Sequence, residues 1–170
     1  MQKLKILIRQ SYTEAGIEEM RVIQTIINQL KHMSSGELDI ELIAGAKAYS
    51  KENFKQAYEE EAGIPFCPTN FRRTRFELIN ACDAIVVVRT GMSESSAFEL
   101  CYNIYAANAV PVFFAVMEGR EIRTTLLQEL DEIADVEYHY FTEPKSLKPV
   151  LLSFLTRVAY GKKMLSQSSA

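Results

Sequence analysis

The chain has 170 residues, a formal net charge of −3 and a hydrophobic content of 48%. This length predicts one domain with a substantial core. The charge argues against nucleic-acid and membrane partners, and no apolar run approaches the roughly 20 residues of a membrane span. Three scattered cysteines argue against a disulfide framework, and the histidines and cysteines lack metal-ligand spacing. We therefore expect a cytoplasmic protein with no metal and no cofactor.

Strand and helix patterns alternate along the chain. In chain order they predict a strand at 3–8, a helix at 17–33, a strand at 38–43, helices at 50–61 and 70–81, a strand at 84–88, a helix at 96–108, a strand at 110–116, a helix at 121–133, a strand at 136–141 and a helix at 144–160. This alternation is typical of a parallel sheet with helices on both faces. We therefore predict a single α/β domain over residues 1–161, a flavodoxin- or Rossmann-like three-layer sandwich with five mostly parallel strands. A frayed polar tail is expected at 162–170.

The most informative segment runs from residue 82 to residue 100. A short β-branched strand ends at Val88, a polar loop follows, and apolar residues recur at helical spacing from Ser96 onward. Such a connection leaves backbone N–H donors at the carboxyl edge of the sheet, where α/β proteins usually bind ligands. Glu99 falls in the first turn of the predicted helix, so we expect its carboxylate to face a small polar ligand.

Polar loops follow the first, third and fourth predicted strands and should meet at one sheet edge. The candidate ligand-binding residues in the first two of these loops are Arg9, Ser11, Arg89, Gly91, Ser93, Ser95 and Ser96. The two arginines would pair with an anionic group such as a phosphate. No nucleophile–histidine pair accompanies them, which argues against a Ser–His or Cys–His hydrolase. A lone carboxylate could instead attack or stabilise an oxocarbenium ion at a sugar carbon, without a metal.

Two features keep a structural interpretation beside the functional one. Ser96 followed three residues later by Glu99 matches the capping box, in which the glutamate bonds back to the backbone of the serine. The direction of the Glu99 side chain distinguishes this role from a catalytic one. Arg72, Arg73 and Arg75 form a basic cluster on a predicted helix, which is either a solvated face or a phosphate clamp.

Residues 83–116 contain a characteristic succession of features. It comprises Asp83, the apolar strand, the polar loop, the run Ala97-Phe98-Glu99-Leu100, Tyr102, an alanine-rich turn and Val110-Pro111-Val112. This succession resembles the nucleoside 2-deoxyribosyltransferase superfamily, and it is similar to the Rossmann-like proteins that include the cytokinin-activating phosphoribohydrolases. The resemblance implies that Glu99 is the nucleophile and aligns Asp83 with the aspartate before the central strand, as a second catalytic candidate. Alternatively, Asp83 hydrogen-bonds the end of the preceding helix.

The resemblance implies an enzyme that acts on the N-glycosidic bond of a small-molecule nucleoside or nucleoside 5′-monophosphate, by hydrolysis or by transfer. The chain departs from the pattern with Ser93 where a second acidic residue often stands, with Ser95-Ser96 in place of Gly-Thr and with Cys101 in place of glycine. These departures leave open a non-catalytic nucleotide-binding or signalling module on the same scaffold. A NAD-cleaving TIR-like enzyme, which also uses one glutamate, is a third interpretation.

The helix at 96–108 is apolar on more than one face, with Phe98, Tyr102 and Tyr105 beyond the expected core stripe. An exposed apolar patch usually marks an interface, and the resembling enzymes are oligomers. We therefore expect a homodimer or a dimer of dimers, packed through this helix and the helix at 70–81. The alternative is that the last helix covers the patch within one chain.

Overall fold

The structure is a computed structural model that describes residues 2–11, 15–33, 38–47 and 49–168. Its strands are β1 (Gln2–Gln10), β2 (Leu38–Ala44), β3 (Ala84–Arg89), β4 (Val112–Met117) and β5 (Val136–Phe141). Its α-helices are α1 (Ile17–Lys31), α2 (Phe54–Ala62), α3 (Pro68–Ala81), α4 (Glu94–Tyr105) and α5 (Leu147–Ser168). Short 3-10 turns occupy Thr125–Leu127, Leu130–Glu132 and Pro144–Ser146.

The strands described form one sheet in the order β2-β1-β3-β4-β5, and every neighbouring pair is parallel. This finding confirms the predicted α/β sandwich with a five-stranded sheet. In this order the chain moves toward one edge of the sheet from β1 to β2 and toward the other edge from β3 to β5. α/β proteins have a crevice where the strand order reverses in this way, here at the carboxyl ends of β1 and β3. The candidate site must therefore be sought where β1 and β3 end.

The sheet separates two apolar cores because side chains alternate between the faces of a strand. Val86 and Val88 of β3 face a core that α1 and α5 cover, whereas Ile85 and Val87 face a core that includes Ile79 of α3 and Leu100 of α4. Every residue of β3 is buried, as expected for a central strand of a parallel sheet.

The prediction of a helix at 121–133 is wrong, because two 3-10 turns occupy this part of the chain. Glu129 between them has a φ of +55°, in the left-handed region, which ends any right-handed helix there. The Tyr138 hydroxyl of β5 donates to the Leu127 carbonyl at 2.7 Å and accepts from the Leu130 amide at 3.1 Å. These bonds capture backbone groups that a helix would satisfy internally.

The last helix extends beyond its predicted end at residue 160 and continues to Ser168. Residues 162–168, expected as a frayed tail, are therefore helical, and residues 169 and 170 lie outside the described ranges. Lys162 attaches this helix to the sheet, donating to the Lys3 carbonyl at 3.0 Å and to Asp83 Oδ2 at 2.7 Å. No helix in the described ranges is both long and apolar enough to cross a membrane.

The connection from β2 to α2 is held closely against the end of β1. Gly45 has a φ of +78°, and a Cβ atom there would lie 2.6 Å from the Ile8 carbonyl oxygen. The buried Gln10 side chain then binds the connection twice, donating to the Lys47 carbonyl at 2.7 Å and accepting from the Tyr49 amide at 2.8 Å. Gly45 and Gln10 therefore hold the segment before α2 against the end of β1.

Candidate functional site

The helix that carries Glu99 begins earlier than predicted, with Ser93 as its N-cap. Ser93 Oγ accepts from the Ser96 amide at 3.2 Å and from the Ser96 hydroxyl at 3.0 Å. Ser96 is thus the third residue of the helix and not its cap. The capping-box interpretation of Glu99 is therefore wrong, because that carboxylate lies a full turn beyond the position from which it could reach the N-cap backbone.

The Glu99 side chain points away from Ser96 and is buried between two arginines. Its Oε1 is 3.3 Å from Nε of Arg75, and its Oε2 is ion-paired with Nε of Arg9. The exposed fractions of the side chains are 6% for Glu99, 10% for Arg75 and 8% for Arg9. Charge-assisted bonds on both carboxylate oxygens hold the group in one orientation.

The three charged residues meet because three elements converge on the same side of the sheet. Arg9 stands two positions after Leu7, which faces the α3–α4 core, so strand alternation directs Arg9 to that side as well. Arg75 precedes the buried Ile79 by one helical turn on the inner face of α3. Glu99 is followed by the buried Leu100 on α4. The structure thus brings Arg9 and Glu99 into contact.

A cavity of about 550 Å³ opens from this charged group toward the surface. Its aromatic walls come from Phe54, Phe66, Phe71, Phe76 and Phe98. Its polar lining consists of Arg72, Arg75, Glu94, Ser95 and Glu99. The buried Glu99 and Arg75 form its deep end, and the exposed Arg72, Glu94 and Ser95 lie at its rim. This volume is typical of small-molecule pockets.

The aromatic wall is formed by ring contacts between separate segments. Phe54 of α2 packs edge-to-face on Phe66 and on Phe71, with centroid distances of 5.5 and 5.3 Å. Phe76 of α3 stacks on Phe98 of α4 at 5.9 Å. Such rings offer π-faces that a planar apolar group can stack against. The cavity thus combines a carboxylate at its deep end with an aromatic wall.

Arg89 and Gly91 lie in a different depression, of about 230 Å³, together with Arg120 and Arg123. The buried Arg89 donates from Nε to the Arg120 carbonyl at 3.1 Å. Neither Arg89 nor Gly91 lines the cavity of Glu99. Arg9 and Arg89 have different partners, since Arg9 is ion-paired with Glu99 and Arg89 donates to the Arg120 carbonyl.

The predicted serines have mainly structural contacts. The buried Ser11 hydroxyl donates to the Gly91 carbonyl at 3.0 Å and so joins the ends of β1 and β3. Ser93 and Ser96 are engaged in the helix cap, and only Ser95 lines the cavity. The sequence indicated Arg72 and Arg75 as site residues only in the alternative of a phosphate clamp, and it did not indicate Glu94.

Asp83 lies at the opposite edge of the sheet from Glu99, because it directly precedes β3. Its Oδ2 accepts from the Lys5 amide at 2.7 Å and from Lys162 Nζ at 2.7 Å. These contacts join the amino ends of β1 and β3 to α5. The structure therefore does not bring Asp83 to the candidate site, and its contacts are structural ones.

Tyr49 is a further residue beside the charged group that sequence reasoning did not select. Its hydroxyl donates to Glu61 Oε1 at 2.5 Å, and its ring packs edge-to-face on Phe54. Burial raises the pKa of the phenol well above its usual value, and the hydrogen bond and negative charge of Glu61 raise it further. The charges of Arg75 and Arg9 act in the opposite direction on that pKa, so Tyr49 lies within their electrostatic reach.

The described residues contain no group of three or more histidine, cysteine, aspartate or glutamate side chains placed to hold a metal ion. The candidate site is built from a carboxylate, guanidinium groups, a hydroxyl and aromatic rings.

No protein-family model and no curated protein matches this sequence. Solved structures do. The CMP N-glycosidase BcmB of Clostridium botulinum is similar with a TM-score of 0.54 and 13% identity, over 86% of this chain and 97% of that one. The solution structure of BlsM is similar with a TM-score of 0.63 and 16% identity, over 91% of this chain and 90% of that one. At these identities the likeness establishes that the chain shares their fold over nearly its whole length.

Proposed function

We propose that this protein cleaves the N-glycosidic bond of a nucleoside 5′-monophosphate and that Glu99 attacks or stabilises C1′ of the sugar. The observation that carries this proposal is the arrangement of one cavity. Its deep end presents an oriented carboxylate, and its wall presents aromatic rings, at the carboxyl edge of the sheet beside the point where the strand order reverses.

The parts of such a substrate match the parts of the cavity. The base would stack on the phenylalanine wall, and the sugar would lie against Glu99. The 5′-phosphate would then lie toward the rim, where the guanidinium of Arg72 and the hydroxyl of Ser95 are available. This assignment replaces Arg89 with Arg72 as the anion-binding arginine.

The reaction needs no group beyond those present. As the bond from C1′ to the base breaks, the Glu99 carboxylate forms a bond to C1′ or stabilises the oxocarbenium ion. The electron pair of the broken bond stays on the base. A water molecule then supplies hydroxide to C1′, which frees the Glu99 carboxylate, and a proton to the base. The orientation that Arg9 and Arg75 impose on Glu99 means that little reorganisation precedes attack.

Two further observations support this choice of reaction. The name of one solved structure of this fold, BcmB, describes a CMP N-glycosidase, so CMP is the first substrate to test. The resemblance of residues 83–116 to the deoxyribosyltransferases also makes transfer to a second base an alternative to hydrolysis. A homodimer in which α4 takes part in the interface belongs to the same proposal.

A non-catalytic nucleotide-binding module is the second candidate function. Both carboxylate oxygens of Glu99 are ion-paired with arginines, as they would be in a purely structural buried ion pair, and this favours the binding module. It is favoured as well by the position of Asp83, which leaves no second carboxylate beside Glu99 at the deep end of the cavity.

One experiment separates the two candidates. The protein is incubated with a set of nucleosides, their 5′-monophosphates and NAD, and free base is measured by chromatography. We expect release from at least one monophosphate, and loss of that release in Glu99→Gln, which keeps the shape of the side chain. Tight binding without release by the unmodified protein would favour the module. Release of nicotinamide alone would favour the NAD-cleaving interpretation.

A further inference from the structure

Arg75 occupies the junction between the carboxylate and the aromatic wall. Its Nε is 3.3 Å from Glu99 Oε1, and its guanidinium carbon lies 6.0 Å from the centroid of the Phe71 ring. Both neighbours line the same cavity as Arg75 itself. If C1′ lies at Glu99 and the base at the aromatic wall, the guanidinium of Arg75 is the group nearest to the bond between them.

One donor of this guanidinium has no acceptor. Nη2 of Arg75 is buried, and no group in the described part of the chain accepts a hydrogen bond from it. Leaving a buried charged donor unpaired is costly. Arg75 itself lines the deep end of the cavity, so a ligand bound there with an acceptor atom would lie beside this guanidinium.

The other arginines of α3 do not share this position. Arg73 is exposed, and its Nη2 donates to Asn70 Oδ1 at 3.3 Å. Arg72 lies at the rim of the cavity. Only Arg75, among these three, is buried and ion-paired with Glu99.

We propose that Arg75 is a catalytic residue that stabilises the departing base, an inference that rests on the proposed N-glycosidic cleavage. Its guanidinium donates a hydrogen bond to the acceptor atom adjacent to the glycosidic nitrogen. In a pyrimidine that atom is the 2-carbonyl oxygen, and in a purine it is N3. The substrate class is therefore a nucleotide whose base carries such an acceptor.

The step balances without another reagent. The C1′–N bond breaks and its electron pair passes to the base, where the negative charge spreads onto the acceptor bonded to Arg75. C1′ bonds to Glu99 or is stabilised by it. One water molecule then supplies hydroxide to C1′ and a proton to the base, and any C1′–Glu99 bond breaks with its electron pair returning to the Glu99 carboxylate. Arg75 stays protonated throughout, as arginine does in proteins. It acts through the hydrogen bond and its charge, as preorganised donors do where negative charge develops.

The test uses bases that differ in how well they leave. Fluorine at the 5-position makes a pyrimidine a better leaving group, so kcat/KM is measured for CMP and UMP and for their 5-fluoro analogues. The variants are Arg75→Gln and Arg75→Lys. Arg73→Gln is the matched control, from the same helix but outside the cavity.

We expect Arg75→Gln to lower kcat/KM for CMP or UMP by on the order of 10²-fold, and by about tenfold less for the fluorinated base. Arg75→Lys, which keeps the charge and the ion pair, should show a smaller loss with the same dependence on the base, and it serves alone if the glutamine variant does not fold. Arg73→Gln should be unchanged. An equal loss on both bases would overturn the proposal, because Arg75 would then only position Glu99. If the unmodified protein releases no base from any nucleoside monophosphate, the proposed function is overturned instead, and this inference with it.

Discussion

Arg75 on α3 and Glu99 on α4 form an ion pair between two neighbouring helices, with Nε and Oε1 3.3 Å apart and both side chains buried. A buried ion pair is weak evidence of stabilisation, because desolvation of the charges offsets much of their attraction. Removal of one partner is strongly destabilising, since it leaves an uncompensated buried charge.

The first prediction follows from that asymmetry. Glu99→Ala leaves the buried guanidinium groups of Arg9 and Arg75 without this carboxylate, so we expect the free energy of unfolding to fall by about 3–5 kcal/mol. Urea unfolding measures this loss in the free energy of unfolding. Ser93→Ala is the control, because it removes only the N-cap of the same helix and should cost about 1 kcal/mol. A loss in the Glu99 variant no larger than in this control would contradict a buried pair.

The second prediction concerns the charge of the ligand. We expect a nucleoside monophosphate to bind more tightly than its nucleoside, and Arg72→Ala to narrow that gap by about tenfold, since a hydrogen bond to a charged group contributes about 1.5–3 kcal/mol. Isothermal titration with CMP and cytidine gives both affinities. Arg89→Ala, in the neighbouring depression, should leave the gap unchanged. A gap that responds to Arg89 and not to Arg72 would restore the original assignment.

The third prediction concerns Tyr49 at alkaline pH. Its pKa is raised in the folded protein by burial and then by Glu61, so the unfolded chain, with a phenol pKa of about 10, loses this proton first. The stability that the protonated Tyr49 side chain contributes to the folded protein is fully present below about pH 10 and is lost as the pH rises above it. Urea unfolding should therefore show stability falling above that pH, less steeply in Tyr49→Phe. The exposed Tyr160 of α5 provides the control Tyr160→Phe, whose profile should match that of the unmodified protein.

The fourth prediction concerns assembly. Phe98 and Tyr105 of α4 are 59% and 73% exposed in the single chain, and α5 cannot cover them because it packs on the opposite face of the sheet. The alternative in which the last helix covers the patch is thereby removed. We expect light scattering at micromolar concentration to show a homodimer, and Tyr105→Asp to dissociate it. A species of 19.3 kDa for the unmodified protein would rule the dimer out.

The sequence was sufficient to predict the sheet. The strands around Val86 and Phe113 are short, apolar and buried on both faces, and this pattern depends little on distant residues. The turns around Leu127 were missed because a hydroxyl from β5 captures their backbone, a contact between segments that local periodicity does not reveal.

The cavity was missed for a related reason. Phe54 and Phe71 belong to two separate predicted helices, and only the folded chain brings their rings together as a wall. Asp83 is the opposite case, a predicted site residue that the structure does not bring to the site. It precedes a strand and so had to lie at the amino edge of the sheet, yet the resemblance to a known motif suggested a catalytic role.

The contact between Gly45 and the Ile8 backbone bears on how this protein could evolve. The phenylalanines of the cavity wall could be exchanged to accept differently shaped bases, since each contributes one ring to a shared surface. Gly45 offers no such freedom, because any side chain there would collide with the Ile8 carbonyl and displace the segment before α2. Laboratory selection for new base preference should therefore accumulate changes in the aromatic wall while position 45 stays glycine.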